Sequence, residues 1–193
     1  MSEHKPLYVD GDTYFFTLVT ARRAPIFSSP ETRLILRTAI QKVRQRHPFE
    51  IVGMVVLPDH LHALCRLPQN DTDFSLRWRL IKTHMTRYAG HGKRLWQQSY
   101  WEHAVRDERD FSHHLDYLHW NPVKHGLVER VRDWPWSSFH RYVKAGVYPM
   151  DWCGSRELAS VVHNPPAMIR SAKSHEGDEC STNFWPSTRA ASS

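Results

Sequence analysis

The sequence of 193 residues has few cysteines and no apolar run long enough to cross a membrane. Its three cysteines (Cys65, Cys153 and Cys180) are far apart and form neither a CxxC pair nor a disulfide framework, which favours a reducing compartment. The longest aliphatic run, residues 51–57, is too short to span a bilayer. Residues 1–12 are polar and lack the apolar core of a signal peptide. We therefore expect a soluble, cytoplasmic protein.

Acidic residues are also scarce in one part of the chain. Residues 74–101 contain six Lys/Arg and no Asp/Glu, together with several aromatic residues. Over residues 1–150 there are 22 Lys/Arg against 15 Asp/Glu, a net charge of +7, whereas residues 151–193 have a net charge of −1. A basic chain with 12% aromatic residues suits single-stranded nucleic acid, which offers phosphates and stacking bases. The alternative is an ordinary basic protein.

Hydrophobic periodicity and breaker residues predict seven elements in the order β-α-β-β-α-β-α. The predicted strands cover 13–20, 50–56, 61–67 and 100–105, and the predicted helices cover 30–46, 74–89 and 110–120. We expect the last helix to end before Pro122, because the residue preceding a proline avoids the α region. This order predicts an α+β fold with a ferredoxin-like split β-α-β core, an antiparallel sheet with helices on one face, and an added C-terminal helix. We expect one domain over 1–150 and a polar, partly disordered tail over 151–193.

The segment PDHLH contains a candidate metal site. His60 and His62 are alternate residues of a predicted strand, so their side chains project from the same face while Leu61 points to the other. Two imidazoles placed in this way can bind one metal ion. The alternatives are a surface pair without a metal, since the chain has 14 histidines, or a zinc site with a third His or Cys. Cys65 is predicted on the opposite strand face, which argues against it as a ligand.

The helix FSHHLDYLHWN has two predicted faces. Phe111, Leu115 and Leu118 are spaced as a core stripe, whereas Tyr117 and Asn121 are one turn apart on another stripe. An amide oxygen beside two imidazoles suits Mg²⁺ or Mn²⁺. A tyrosine near such a metal can act as a nucleophile toward a phosphodiester. The alternative is a half-buried structural tyrosine.

PDHLH, WEHAVRDERDF, DYLHWNPVKHGLV and WPWSSF occur in this order between residues 13 and 148. The combination resembles the REP-associated tyrosine transposases, a branch of the single-tyrosine HUH transposases. The resemblance implies a ferredoxin-like core, His60 and His62 as metal ligands, Tyr117 as nucleophile and Asn121 as a third ligand. It also implies recognition of palindromic, hairpin-forming repeats as single strands.

The basic residues give a candidate DNA surface. Cations in such a surface contact phosphates, and exposed rings stack on unpaired bases. The predicted DNA contacts are Arg77, Arg79, Lys82, Arg87, Lys93, Arg94 and Lys124.

The sequence thus predicts a metal-dependent single-strand DNA endonuclease and strand transferase with a covalent 5′-phosphotyrosine intermediate. We expect a nucleoid-associated enzyme, either a monomer or a homodimer, that needs Mg²⁺ or Mn²⁺. One alternative is a non-catalytic hairpin-binding regulatory protein. The other is a metal phosphoesterase in which water attacks and Tyr117 is structural.

Overall fold

The structure is a computed structural model and describes residues 13–90 and 94–154. Its strands are Thr13–Val19 (β1), Glu50–Val56 (β2), His60–Arg66 (β3) and Trp101–Ala104 (β4). Its α-helices are Pro30–Arg46 (α1), Phe74–Tyr88 (α2), Glu108–Lys124 (α3) and Phe139–Lys144 (α4). Short 3-10 turns occur at Ala21–Arg23, Ile26–Ser28 and Val131–Asp133.

The four strands form one sheet in the order β2-β3-β1-β4, in which all neighbours are antiparallel. β3 is central, and His62 lies opposite Thr17 of β1 and Val55 of β2. This arrangement confirms the predicted α+β class and the split β-α-β core.

Helices α1 and α2 cover one face of the sheet. α1 begins where Ser29 caps the amide of Thr32 and Pro30 fills the first turn, both typical of a helix start. Large apolar side chains from the two helices pack on Phe16 and on Leu61, which points to this face as predicted. The main helix contributions are Leu36, Ile40, Trp78, Ile81 and Met85.

Helix α3 covers the opposite face through the predicted stripe of Phe111, Leu115 and Leu118, all of which are buried. A Cβ at position 53 would lie 2.9 Å from Cδ1 of Leu115. Glycine at this position of β2 therefore allows α3 to approach the sheet closely.

Helix α3 is longer than predicted. The expectation that it ends before Pro122 is wrong, because it continues to Lys124 with Pro122 inside. Pro122 lies in the last turn, so its missing N–H removes only one intrahelical bond there. The turn is closed by the amides of His125 and Leu127, which donate to the carbonyls of Asn121 and Pro122. Asn121 is therefore on the same rigid helix as Tyr117.

The start of the predicted tail belongs to the folded unit, since the Trp152 ring lies 4.7 Å from that of Tyr148. The rest of that predicted tail, 155–193, and the predicted DNA contact Lys93 lie outside the described residues. Across 13–90 and 94–154, every helix is too short or too polar to serve as a membrane span.

Candidate active site

The two histidines of the PDHLH segment lie side by side at the start of β3. Their ring centroids are 5.1 Å apart, and each residue is 4% exposed. They project from the sheet face that α3 covers, as strand alternation predicts. The structure therefore brings His60 and His62 together in a buried position under α3.

One nitrogen of each ring is held by a neighbouring side chain. Nδ1 of His60 is 2.6 Å from Oδ1 of Asp59, and Nδ1 of His62 is 2.8 Å from Oγ1 of Thr17. Asp59 is in turn paired with Arg23 at 3.1 Å. Such bonds fix the ring orientation of a metal-ligating histidine and leave its other nitrogen for a ligand.

Asn121 reaches the same place from the last turn of α3. Its residue is fully buried, and neither of its amide atoms has a hydrogen-bond partner among the described residues. Nε2 of His62 is also buried without such a partner. Buried polar atoms without partners are costly, so several of them in one place indicate a ligand that satisfies them. Two imidazoles and an amide oxygen fit a divalent metal ion.

The protonation of the histidines favours the same interpretation. Burial lowers the pKa of His60, and it lowers the pKa of His62 well below its ordinary value. Asn121 raises the pKa of each ring, which places its amide beside both, but it does not offset burial. Both imidazoles are therefore neutral near pH 7, the state that binds a metal.

Tyr117 lies next to this cluster. Its ring centroid is 5.4 Å from that of His62, and its side chain is half-buried, so the phenol is not sealed in the interior. Nζ of Lys124 donates to the phenol oxygen at 3.3 Å and lies 4.7 Å from the ring centroid. The hydrogen bond from Lys124 holds the phenol oxygen at the edge of the histidine cluster.

Two residues at the site have roles that the sequence prediction missed. The His125 ring is 5.0 Å from that of His60 and is a further donor beside the pair. The ammonium group of Lys124, a predicted DNA contact, also lies on the phenol of Tyr117. His125 follows Asn121 by four residues, a helical spacing that would have identified it if α3 had been predicted to continue through Pro122.

The basic surface lies on α2 and the segment that follows it. Arg79, Lys82 and Arg87 line one open groove together with Trp96 and Tyr100. Nζ of Lys82 is 5.2 Å from the Tyr100 ring centroid and 5.8 Å from that of Trp96, and burial lowers its pKa to about 8. Arg94, in the same segment, is exposed. Cations beside rings form a surface suited to a nucleic-acid strand.

Arg77 does not belong to this surface. It is 4% exposed, and its guanidinium donates to the carbonyl of Pro48 at 2.7 Å and pairs with Asp71. The prediction that Arg77 contacts DNA is therefore corrected, because the side chain holds the start of α2 to the preceding loop. Helical spacing alone does not distinguish a buried, paired arginine from an exposed one.

Comparison with known proteins finds relatives that are all described as transposases. Residues 9–120 match the family model described as "Transposase IS200 like". The chain is 48% identical over 154 residues to the REP-associated tyrosine transposase of Escherichia coli strain K12, covering 80% of this chain and 92% of that protein. It is 40% identical over 173 residues to a putative REP-associated tyrosine transposase of Haemophilus influenzae, covering 82% and 97% respectively.

A solved structure agrees with these sequence matches. A REP-associated tyrosine transposase bound to a REP hairpin is 45% identical, with a TM-score of 0.73, covering 89% of this chain and all of that one. The resemblance recognised from the motifs is thereby confirmed.

Proposed function

Because this chain belongs to the IS200-like transposase family and is a transposase, we propose that it cleaves and rejoins single DNA strands beside hairpin-forming palindromic repeats, with Tyr117 as nucleophile. The observation that carries the proposal is the half-buried phenol of Tyr117 beside the buried His60–His62 pair. The relative bound to a REP hairpin supports this class of substrate.

His60, His62 and Asn121 would hold the metal ion, which we propose to be Mg²⁺ or Mn²⁺. When bound, such an ion supplies positive charge that polarises the scissile phosphate and neutralises charge developing on it. Thr17 and Asp59 act through the two histidines by fixing their rings. The buried, unpartnered amide of Asn121 supports its role as third ligand.

Tyr117 performs the covalent step. Its phenol oxygen forms a bond to phosphorus while the bond from phosphorus to the 3′-oxygen breaks, which leaves a 5′-phosphotyrosine and a free 3′-hydroxyl. A second 3′-hydroxyl then reverses the step and joins the strands without an external energy source. Nζ of Lys124 donates a hydrogen bond to the phenol oxygen and so orients it. Because Tyr117 and His62 of one chain face each other, a single chain can complete the site.

The groove of Arg79, Lys82 and Arg87 would bind the DNA strand, with phosphates on the cations and unpaired bases on Trp96 or Tyr100. Exposed Arg94 extends the basic surface. An enzyme with this substrate would work in the cytoplasm at the nucleoid.

The test is covalent trapping. Labelled single strands containing a hairpin repeat and its flanks, incubated with Mg²⁺, should give a protein–DNA adduct that survives denaturing electrophoresis. Tyr117→Phe should abolish the adduct and keep hairpin binding. Tyr88→Phe is the matched control, because this tyrosine is 53% exposed and lies on α2 rather than on the helix that carries Tyr117.

Three results would contradict the proposal. An undiminished adduct in Tyr117→Phe would assign the nucleophile elsewhere. Free 5′-phosphate ends without any adduct would favour a phosphoesterase in which water attacks. Tight hairpin binding without cleavage of any substrate would favour a non-catalytic regulatory protein.

A further inference from the structure

A second group of metal-ligating side chains lies where β4 meets the first turns of α3. A ring nitrogen of His103, a ring nitrogen of His114 and a carboxylate oxygen of Asp110 all lie within 4.8 Å of one another. Asp110 and His114 are one helical turn apart on α3, and His103 is on the adjacent edge strand. None of the three is used in the proposed cleavage reaction.

The donor atoms are held in place by their surroundings. The rings of His103 and His114 stack with centroids 4.7 Å apart and planes at 21°. Trp101 stacks on His103 at 5.8 Å, and the Phe15 ring lies 4.7 Å from that of His114. An ion would therefore find both imidazoles already positioned, which reduces the entropy lost on binding.

The carboxylate is already ionised. Burial alone would raise the pKa of Asp110, but hydrogen bonds from His103 and Arg106 outweigh it and hold this pKa well below its ordinary range. Oδ2 of Asp110 is 2.8 Å from Nε2 of His103 and 3.1 Å from the backbone nitrogen and Nε of Arg106. Oδ1 is 3.1 Å from Nδ1 of His114, which also lies 2.8 Å from the Asp110 carbonyl oxygen.

The cluster is open on one side. The side chain of His103 is 24% exposed, those of Asp110 and His114 are 9% and 14% exposed, and that of Arg106 is 75% exposed. An ion can enter from solvent, and the Arg106 guanidinium can move away as the ion takes over the carboxylate. The Phe15 ring contacts both His114 and His62, and the three clustered donors do not include His60 or His62, so this cluster is distinct from that pair.

We propose that His103, Asp110 and His114 form a second metal site, selective for a transition-metal ion of the zinc type. Two imidazoles and one carboxylate form a donor set that Zn²⁺ accepts in tetrahedral geometry, with a fourth position for water. The ion would link edge strand β4 to the helix that carries Tyr117, three residues beyond His114. Its effect would be to hold the start of α3 on the sheet.

The experiment isolates this site in the full chain by removing the catalytic pair with His60→Ala/His62→Ala. Titration with Zn²⁺ should then show one tightly bound ion per chain. In that background, His103→Phe and His114→Phe each keep a stacking ring but remove a donor nitrogen, and should weaken Zn²⁺ binding by about 30-fold or more. His113→Phe removes the neighbouring imidazole and should leave the affinity within about twofold.

Thermal unfolding provides a second readout. Zn²⁺ at about a hundredfold excess over its Kd should raise Tm by roughly 5–10 °C in the background protein and in His113→Phe. The rise in Tm should disappear in His103→Phe. It should also disappear in Asp110→Asn, which provides the same test if a phenylalanine variant fails to fold. The proposal would be overturned if the background protein did not bind Zn²⁺ tightly. It would also be overturned if the His103→Phe and His113→Phe variants bound Zn²⁺ equally well, since the cluster would then be only a hydrogen-bonded contact.

Discussion

The two faces of the sheet differ in what they bury. The face under α1 and α2 is lined by apolar side chains from both layers, including Phe16, Leu61, Ala63 and Cys65. The face under α3 combines an apolar cluster around Phe15 with buried histidines and an asparagine. The first face stabilises the fold, whereas the second also places two imidazoles and an amide side by side, which stability alone would not favour. The contrast is clearest in β3, because its successive side chains point to alternate faces of the sheet.

Burial of a histidine on the α3 face does not by itself indicate a ligand. His119 is fully buried on the same helix as Tyr117, but its Nε2 is 2.8 Å from Oγ of Ser138. That hydroxyl also accepts the amide of Met54 at 3.0 Å, so it links α3, the start of α4 and β2. Nδ1 of His119 is buried without a hydrogen-bond partner among the described residues, as Nε2 of His62 is, but the His119 ring packs among the rings of Phe139, Tyr142 and Tyr148. His119 therefore has a structural role, whereas His60 and His62 lie beside each other and near the buried amide of Asn121.

The difference between the two faces of the sheet predicts its largest effect for a substitution of His62. His62→Ala should reduce cleavage roughly a hundred- to a thousandfold, because the metal loses a ligand and the phosphate loses its stabilisation. Hairpin affinity should stay within a few-fold, since the basic groove is unchanged. Single-turnover cleavage and gel-shift titration measure the two quantities.

Cys65→Ala is the matched control for this experiment, since it lies on the same strand and faces the apolar core. It should lower the free energy of unfolding by about 1–2 kcal/mol and leave cleavage by the folded protein within about twofold. If both variants lost stability and kept cleavage, the functional distinction between the two faces would be wrong.

A smaller effect concerns pH and His119. Burial, reinforced by Arg141 and His140, lowers the pKa of His119 to about 3. An unfolded histidine has a pKa of about 6.5, so between pH 7 and 5 the unfolded chain takes up a proton that the folded residue does not. The contribution of neutral His119 to the free energy of unfolding is therefore fully present above about pH 6.5. As the pH falls to 5, the free energy of unfolding should decrease by about 2 kcal/mol because of this residue.

His119→Gln removes this titration. Between pH 7 and pH 5, the free energy of unfolding of the variant should decrease less than that of the wild type, by a difference of about 2 kcal/mol. Urea denaturation at each pH measures both decreases. Parallel curves for the two proteins would show that His119 is not held neutral on the α3 face.

The smallest effect concerns the basic groove, which lies outside both cores. Arg79→Gln and Arg87→Gln should each weaken hairpin binding by about 3- to 10-fold and lower the slope of log affinity against log salt by about 1. Arg77→Gln should instead lower Tm and leave the slope unchanged, because this guanidinium is buried and paired. If Arg77→Gln lowered the slope of log affinity against log salt, Arg77 would be a DNA contact after all.

Local sequence patterns predicted much of the fold and part of the site. Alternation along β3 placed His60 and His62 on one face and Leu61 on the other, as the structure has them. The stripe of Phe111, Leu115 and Leu118 predicted the buried side of α3. The end of α3 was wrong because the preference of the residue before proline is a local rule, and closure by backbone bonds from His125 and Leu127 overrides it.

The sequence by itself determined the order of the four strands and the first three α-helices, the faces of β3 and α3, and the family, because periodicity and motif spacing are properties of neighbouring residues. The short helix α4 was not predicted. Only the tertiary structure decided which distant groups meet. It placed Asn121 and His125 beside the histidines of β3, Lys124 on the phenol of Tyr117, and Arg77 inside the protein. These contacts depend on how closely α3 and α2 pack on the sheet, which is set by side-chain volume and by Gly53 rather than by any local pattern.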